Sequence, residues 1–255
     1  MEVRILGSSG SVSGAHNPTS GYLLRPENEV PILIDCGPGV LSQLQQHADP
    51  ANTHMLFSHL HPDHCLDFPS LLVWRRFHPI SPSSDIHQCF GPDATPTHLG
   101  RLSSDEPDDI ESFADTFHFH PWRVGKTETL SGCTITPYPA VHPIQAYALR
   151  VENQATGKVV AYSGDSAHTE ELIPCAMGAD LFLCEATWGA SSKDKAPGMH
   201  MSGAEAGRLA TQAGVKHLVL IHIPPWGDPQ AAFDAARAEF DGPISLGLAG
   251  DTWDL

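Results

Sequence analysis

His59-Leu60-His61-Pro62-Asp63-His64 places four metal-capable side chains within six residues. Alternate residues of an extended segment project to the same side. His59, His61 and Asp63 are therefore expected to converge, while His64 points across to a second position. A single tetrahedral ion takes few protein ligands, whereas two adjacent ions can use the whole run. The stretch predicts a two-metal hydrolase and directs the search for the remaining ligands.

Three further residues meet that need, each near a predicted strand end or in the turn after it. His142 sits in Ala140-Val141-His142-Pro143, Asp165 in Tyr162-Ser163-Gly164-Asp165, and His222 ends the apolar run Leu218-Val219-Leu220-Ile221. Taken singly, a strand-end His also reads as a hydrogen-bonded structural residue. Asp165 after a glycine also reads as a helix cap. The combination carries the metal reading.

Hydrophobic periodicity predicts strands at residues 2–7, Gly21 to Leu24, Pro31 to Asp35, Thr53 to Ser58, 117–123, 133–138, 145–152 and 158–163. Later strands are expected at Leu181–Glu185, His217 to His222 and near Ile244–Leu248. Helices are expected from Gly37 to about His47, Leu66 to Phe77, Thr169 to Met177 and Pro229 to Phe240. Ser202-Gly203-Ala204-Glu205 matches a capping box and opens another helix to about Ala213. Residues 79–115, rich in Pro, Ser and Asp, read as a solvated loop, with an insertion or a lid as alternatives. Strand clusters interleaved with helices indicate an α/β layered fold in one domain, residues 1–255.

Composition bounds the function. Hydrophobic residues make up 41% of 255, enough for a sizeable core, and no apolar run reaches the length of a membrane span. The start, MEVRILGSSG, reads as a strand entering a Gly-Ser loop and lacks the regions of a signal peptide, so a cytoplasmic location is expected. The six cysteines are scattered without a CxxC, which indicates neither a zinc ribbon nor a redox pair. Reduced core thiols are expected, and helix packing is the preferred reading for Cys65. Lys plus Arg is 14 against 30 Asp plus Glu, a formal charge of -16. That balance opposes a broad nucleic-acid surface but leaves room for a small phosphate ligand beside metal ions.

HLHPDH followed in order by His142, Asp165 and His222 resembles the five-motif pattern of the metallo-β-lactamase fold superfamily, over essentially the whole chain. The resemblance implies an αββα four-layer sandwich with the site along the sheet edges. It implies one metal held by His59, His61 and His142, a second by Asp63, His64 and His222, and Asp165 bridging them. Zinc is the leading metal, and two carboxylate ligands leave manganese or iron open.

Cys184-Glu185-Ala186-Thr187, His200-Met201-Ser202, the early Gly7-Ser8-Ser9-Gly10-Ser11 and Asn17 resemble the tRNase Z-like branch. There Glu185 would orient His200 beside the scissile phosphate, and Asp63 would both bind metal and orient the attacking hydroxide. The basic exosite arm of tRNA-processing enzymes has no counterpart here. Val73-Trp74-Arg75-Arg76-Phe77-His78-Pro79 and His222-Ile223-Pro224-Pro225-Trp226 resemble actinobacterial cyclic-nucleotide phosphodiesterases. The resemblance thus implies hydrolysis of a small nucleotide phosphodiester, with a 3′,5′-cyclic nucleotide such as cyclic AMP leading. The alternatives are a tRNA 3′ endonuclease, a lactone or ester hydrolase, and a non-catalytic metal or nucleotide sensor. Relatives of this branch often form dimers, so a homodimer is among the expected states, while tRNA and a membrane are not expected partners. Arg75, Arg76, Trp188, Trp226 and His168 lie close to site motifs, with surface, packing or capping roles as their simpler readings.

Overall fold

The computed structural model describes residues 1–255. In chain order the first half comprises β1 (Glu2–Gly7), β2 (Gly21–Arg25), β3 (Ile32–Ile34), α1 (Val40–His47), β4 (His54–Leu56), α2 (Pro62–Cys65), α3 (Phe68–Phe77), β5 (His87–Gly91), α4 (Thr95–Ser103) and β6 (Phe117–Pro121). The second comprises β7 (Glu128–Leu130), β8 (Cys133–Pro139), β9 (Tyr147–Asn153), β10 (Val159–Tyr162), α5 (Leu172–Ala176), β11 (Leu181–Glu185), α6 (Gly203–Ala213), β12 (Leu218–Ile221), α7 (Pro229–Arg237), β13 (Ile244–Leu246) and β14 (Thr252–Asp254).

The strands form two seven-stranded sheets, ordered β14-β1-β2-β3-β4-β5-β6 and β13-β12-β11-β10-β9-β8-β7. Period-2 alternation sorts their side chains into layers. Val3, Ile5, Tyr22, Leu24, Ile32 and Ile34 of the first sheet face Ile135, Leu149, Val151, Tyr162, Leu183 and Ile221 of the second. The opposite face of the first sheet packs Leu23, Leu33 and Met55 against Val40 and Leu44 of α1 and Leu71 and Leu72 of α3. The second sheet packs Ala161, Phe182 and Leu220 against the residues of α5, α6 and α7. The result is the expected αββα sandwich. The capping box of α6 is present in both directions, Ser202 accepting from Glu205 and Glu205 from Ser202.

Both sheets contain a parallel block, β3-β4-β5-β6 in one and β10-β11-β12-β13 in the other. Parallel strands end on the same edge of their sheet, the edge where open α/β sheets bind ligands. Ser58 follows β4, Asp165 follows β10, Glu185 ends β11 and His222 follows β12.

Residues 79–115 depart from the expected solvated loop. They contain β5, which lies inside the first sheet between β4 and β6, and helix α4. The strand escapes a hydrophobicity reading because His87 and Gln88 stand where apolar residues would be expected; His87 is nonetheless buried. β7 and β14 are three-residue edge strands at opposite sheet ends, too short to show a period.

Arg75 explains why a polar strand can be buried there. It is 1% exposed and lies on α3. Its guanidinium donates to the carbonyls of Pro50, Ala51 and Thr116 at 3.0–3.1 Å and meets His87 Nδ1 at 2.9 Å. Burial pulls its pKa down to about 10, so it stays a cation at neutral pH. Arg76 pairs with Asp115 and Glu111. The reading of Arg75 as an exposed helix arginine is thus corrected, and both arginines brace the 104–116 segment.

Replacing Arg75 by Met keeps the bulk but leaves the buried Pro50 carbonyl without a donor. It also takes one donor each from Thr116 Oγ1, the His87 ring and the Ala51 and Thr116 carbonyls, which retain Ser83 Oγ and His87 N. An unpaired buried group costs about 1–3 kcal/mol. Arg75→Met is expected to lower Tm by roughly 6–12 °C, a loss of about 3 kcal/mol in a chain of this length. Calorimetric melting within 2 °C of wild type would contradict this assignment.

Candidate metal centre

The chain leaves β4 through Phe57 and Ser58, so His59 and His61 sit in a loop and Pro62 opens α2. Proline suits a first helical position, where its missing N–H is not needed. This single turn of helix overturns the alternation expected of the run. Asp63 does not join His59 and His61; it turns with His64 to the other side of the site. Two groups result, His59, His61, His142 and Asp165 in one, and Asp63, His64, Asp165 and His222 in the other. Asp165 belongs to both.

The distances suit metal ligation. In the first group His61 Nδ1 lies 2.9 Å from His142 Nε2, and His59 Nε2 lies 3.6 Å from Asp165 Oδ2. In the second, His222 Nε2 lies 3.0 Å from Asp63 Oδ2 and 3.2 Å from His64 Nε2, and His64 Nε2 lies 3.2 Å from Asp165 Oδ1. Tetrahedral ligands at zinc-like bond lengths sit about 3.4 Å apart. His59 Nε2 and Asp165 Oδ1 are buried without a hydrogen-bond partner. Buried polar atoms are rarely left so, and a cation between them would satisfy both.

The far side of four of the five rings is fixed. His64 Nδ1 donates to Asp35 Oδ2 at 2.8 Å, and His142 Nδ1 donates to the Met199 carbonyl at 2.8 Å. His222 Nδ1 meets Thr187 Oγ1 at 2.9 Å, and His59 Nδ1 meets Ser58 Oγ at 3.1 Å. Such contacts select the tautomer that presents the other nitrogen to a metal. Asp35 and Thr187 were not singled out from the sequence. The available signal for Asp35 was an acid closing the wholly apolar strand Ile32–Ile34. It also accepts from Ser58 N, Ser58 Oγ and Tyr162 Oη at 2.7–2.8 Å.

The Gly-Ser loop supports the same site from below. The Ser8 carbonyl accepts from His222 N, and Ser11 N donates to Asp63 Oδ2 at 2.8 Å. Asn17 braces the loop through Ser8 N and Ser8 Oγ. A Cβ at Gly10 would lie 2.3 Å from the His222 carbonyl, so only glycine allows this approach.

Electrostatics follow from burial and crowding. Burial opposes ionisation of Asp165, but the surrounding His222, His64 and His59 outweigh it and hold the carboxyl well below the usual range. Burial, followed by the neighbouring His64, depresses His59. Burial likewise depresses His61 and His142. These rings are therefore neutral, the form that binds a metal.

Glu185 and His200 form a separate unit beside this cluster. Glu185 is fully buried. Its Oε1 accepts from Ser166 N at 2.7 Å and from His200 Nδ1 at 3.0 Å. Burial disfavours a charged His200, yet Glu185, with Asp165 and Asp63 behind it, raises it to about 8. The ring borders a cavity of about 420 Å³ that Trp188, Lys195 and Trp226 also line. His168 is exposed and bonds to no site residue, and Cys65 is a buried free thiol packed against Leu60.

The beta-lactamase superfamily domain matches residues 31–223, which hold most of these elements. The chain belongs to that superfamily. Its similarity extends over its whole length to Rv1339, an uncharacterized protein of Mycobacterium tuberculosis, at 45% identity over 255 residues, 100% of this chain and 92% of the relative. It is 28% identical over 261 residues to the probable metallo-hydrolase YhfI of Bacillus subtilis, covering 100% of both. The crystal structure of YhfI superposes with a TM-score of 0.86 at 26% identity, over 99% of this chain and 98% of that one. A ribonuclease Z of Natronomonas pharaonis is 29% identical over 303 residues, 100% of this chain and 98% of the relative. The superfamily member described here is a metal-dependent hydrolase with His/Asp clusters able to hold metal ions. None of its helices is long and apolar enough to cross a membrane.

Asp35→Asn retains a side chain that tolerates the left-handed backbone at this position, φ 59°. It removes the carboxylate that fixes His64. Divalent-cation affinity, read by competition with a chromophoric chelator, is expected to fall about 10–100-fold. An unchanged affinity would show that His64 orients itself.

Proposed function

We propose that this superfamily member is a binuclear metal-dependent phosphodiesterase acting on a small nucleotide phosphodiester, with a 3′,5′-cyclic nucleotide such as cyclic AMP leading. The observation that carries the reading is the buried Glu185–His200 pair set against the His/Asp clusters. A phosphodiester expels an alkoxide that gains from a proton donor, as the alkoxide of an ester or lactone does, and His200 is held ready to be that donor. The similarity to a ribonuclease Z supports phosphodiester chemistry.

In this reading His59, His61 and His142 would hold one divalent ion and Asp63, His64 and His222 a second, with Asp165 placed to serve either group. Zinc is preferred, with manganese or iron admitted by the carboxylates. Bound ions supply Lewis acidity and a water acidified toward neutrality. Asp63, steadied by Ser11 N, orients the attacking water. His200 Nε2 passes a proton to the leaving alkoxide, while Glu185 keeps Nδ1 protonated and the ring aimed. For a cyclic nucleotide the product is a nucleoside monophosphate.

A tRNA 3′ endonuclease is the second reading, favoured by the same ribonuclease Z relative. The charge of -16 weighs against it. So does the cavity of about 420 Å³ beside His200, which lies in the range of small-molecule pockets.

Metal-loaded protein assayed in parallel should convert cyclic AMP to a nucleoside monophosphate and leave precursor tRNA intact, and Asp63→Ala should abolish turnover. Trailer cleavage from tRNA at low enzyme, without cyclic AMP turnover, would overturn the choice of substrate. His200→Ala should lower kcat about 10²–10⁴-fold, the usual worth of a positioned acid.

The pH profile tests the pair itself. The acid form of His200 is the active one, so activity is retained below its pKa and lost as pH rises through it. Without cations, Glu185, Asp165 and Asp63 place that pKa at about 8. Cations at Asp165 and Asp63 offset those two carboxylates and set the limb below that value, which leaves Glu185 as the partner on which it depends. Glu185→Gln should move the basic limb to lower pH, whereas an unmoved limb would assign it to another group.

A further inference from the structure

The cavity beside His200 has a construction that the hydrolytic reading does not use. Its walls come mainly from two loops, 187–200 after β11 and 224–228 after β12, with Ser11 and Ala231 completing them. Trp226 stands at its mouth with 71% of its surface exposed. The backbone that carries the indole is nevertheless fixed by a turn. Gly227 N donates to the Pro224 carbonyl at 2.8 Å, closing a turn with Pro225 and Trp226 at its centre. Proline fixes the backbone at the first central position of such a turn. Asp228 then caps α7 through Ala231 N and stops the turn from unwinding.

The opposite wall runs back to the proposed acid. The Trp188 ring meets His200 edge-on at 5.1 Å, and Lys195 Nζ lies 5.6 Å above the Trp188 ring. Lys195 is unusual in this chain. Apart from Lys193, Lys195 and Arg101, every Lys and Arg side chain meets a carboxylate or a carbonyl oxygen. Arg101 is on α4, while Lys193 and Lys195 share the loop that borders this cavity. A chain of charge -16 repels anions at its surface, and its uncommitted lysines lie at this opening.

We propose that this cavity is a nucleobase subsite, with the open face of Trp226 as the stacking platform and Lys195 as the cation that draws the nucleotide's anionic end toward His200. It rests on the phosphodiesterase reading. A flat ring fits an exposed indole without side-chain rearrangement, and stacking of this kind tolerates different bases. Lys195 acts through charge, so its contribution weakens as salt rises.

Calorimetry on metal-loaded protein tests this without turnover, using adenosine 5′-monophosphate and ribose 5-phosphate, which differ by the base. Wild type should bind the nucleotide about tenfold or more tightly than ribose 5-phosphate, the scale expected of one stacked base. Trp226→Ala should erase that preference and Trp226→Phe should keep most of it. Lys195→Ala should weaken both ligands by a similar factor, about threefold at low salt. Equal binding of the two ligands by wild type, or a preference that survives Trp226→Ala, would overturn the subsite. Protein that prefers the nucleotide through Trp226 yet hydrolyses no cyclic nucleotide would keep the subsite and remove the phosphodiesterase reading. Turnover of cyclic AMP with a KM unmoved by Trp226→Ala would do the reverse.

Discussion

One buried carboxylate ties the two halves of the molecule together under the site. Asp35 directly follows β3 in the first sheet, and its Oδ2 accepts from Tyr162 Oη of β10 in the second sheet. The same oxygen accepts from His64 Nδ1 and Ser58 Oγ. Both sheets and one imidazole of the cluster are therefore referenced to one atom. A carboxylate buried this deeply is costly unless hydrogen-bonded, and here it accepts four bonds, three at Oδ2 and one at Oδ1 from Ser58 N. Sheet packing alone fixes the separation of two layers; hydrogen bonds of this kind fix their register.

That constraint explains why strand ends, and not one contiguous motif, build the cluster. Asp165 and His222 follow β10 and β12, while His59, His61, Asp63 and His64 follow β4 of the other sheet. Their side chains meet only if the carboxyl ends of the two parallel blocks face one another across the sandwich. Two residues at this seam take left-handed backbone conformations, Asp35 at φ 59° and His222 at φ 58°. Non-glycine residues rarely adopt that region, and they cluster where surrounding structure over-determines them. At His222 the overdetermination is visible, with its N–H on the Ser8 carbonyl and its ring between Thr187 and Asp63.

The seven residues of the cluster were readable in the sequence because metal chemistry restricts them to a few residue types at or just after strand ends, whereas Glu185 and His200 were readable only through the resemblance of their motifs to the tRNase Z-like branch. The partition of the HLHPDH run was not readable from alternation. Pro62 starts a helix there, and a helical turn puts Asp63 and His64 on one side where an extended chain would separate them. Asp35 was not readable because its role is set by partners far along the chain, Tyr162 above all. The internal strand β5 was hidden for a similar reason. His87 satisfies its polar atoms through Arg75 and Asn52, so a polar residue occupies a buried position without the apolar signature that a hydrophobicity reading requires.

Charge is the last constraint, and it bears on function more than on fold. Asp35, Asp63, Asp165 and Glu185 are all buried around the same strand ends. Burial keeps His59, His61 and His142 neutral, and His64 and His200, raised by their carboxylate neighbours, do not cancel four acids, so a cluster without cations presents a net negative field to its surroundings. An anionic phosphodiester would be repelled from it. Divalent ions at the proposed positions reverse the sign locally, and low-dielectric surroundings make that reversal strong at short range. On this argument the acids are not a burden on binding an anion. They set the affinity for the cations on which binding depends, so recognition of substrate is conditional on metal by electrostatics alone, before any question of catalysis arises.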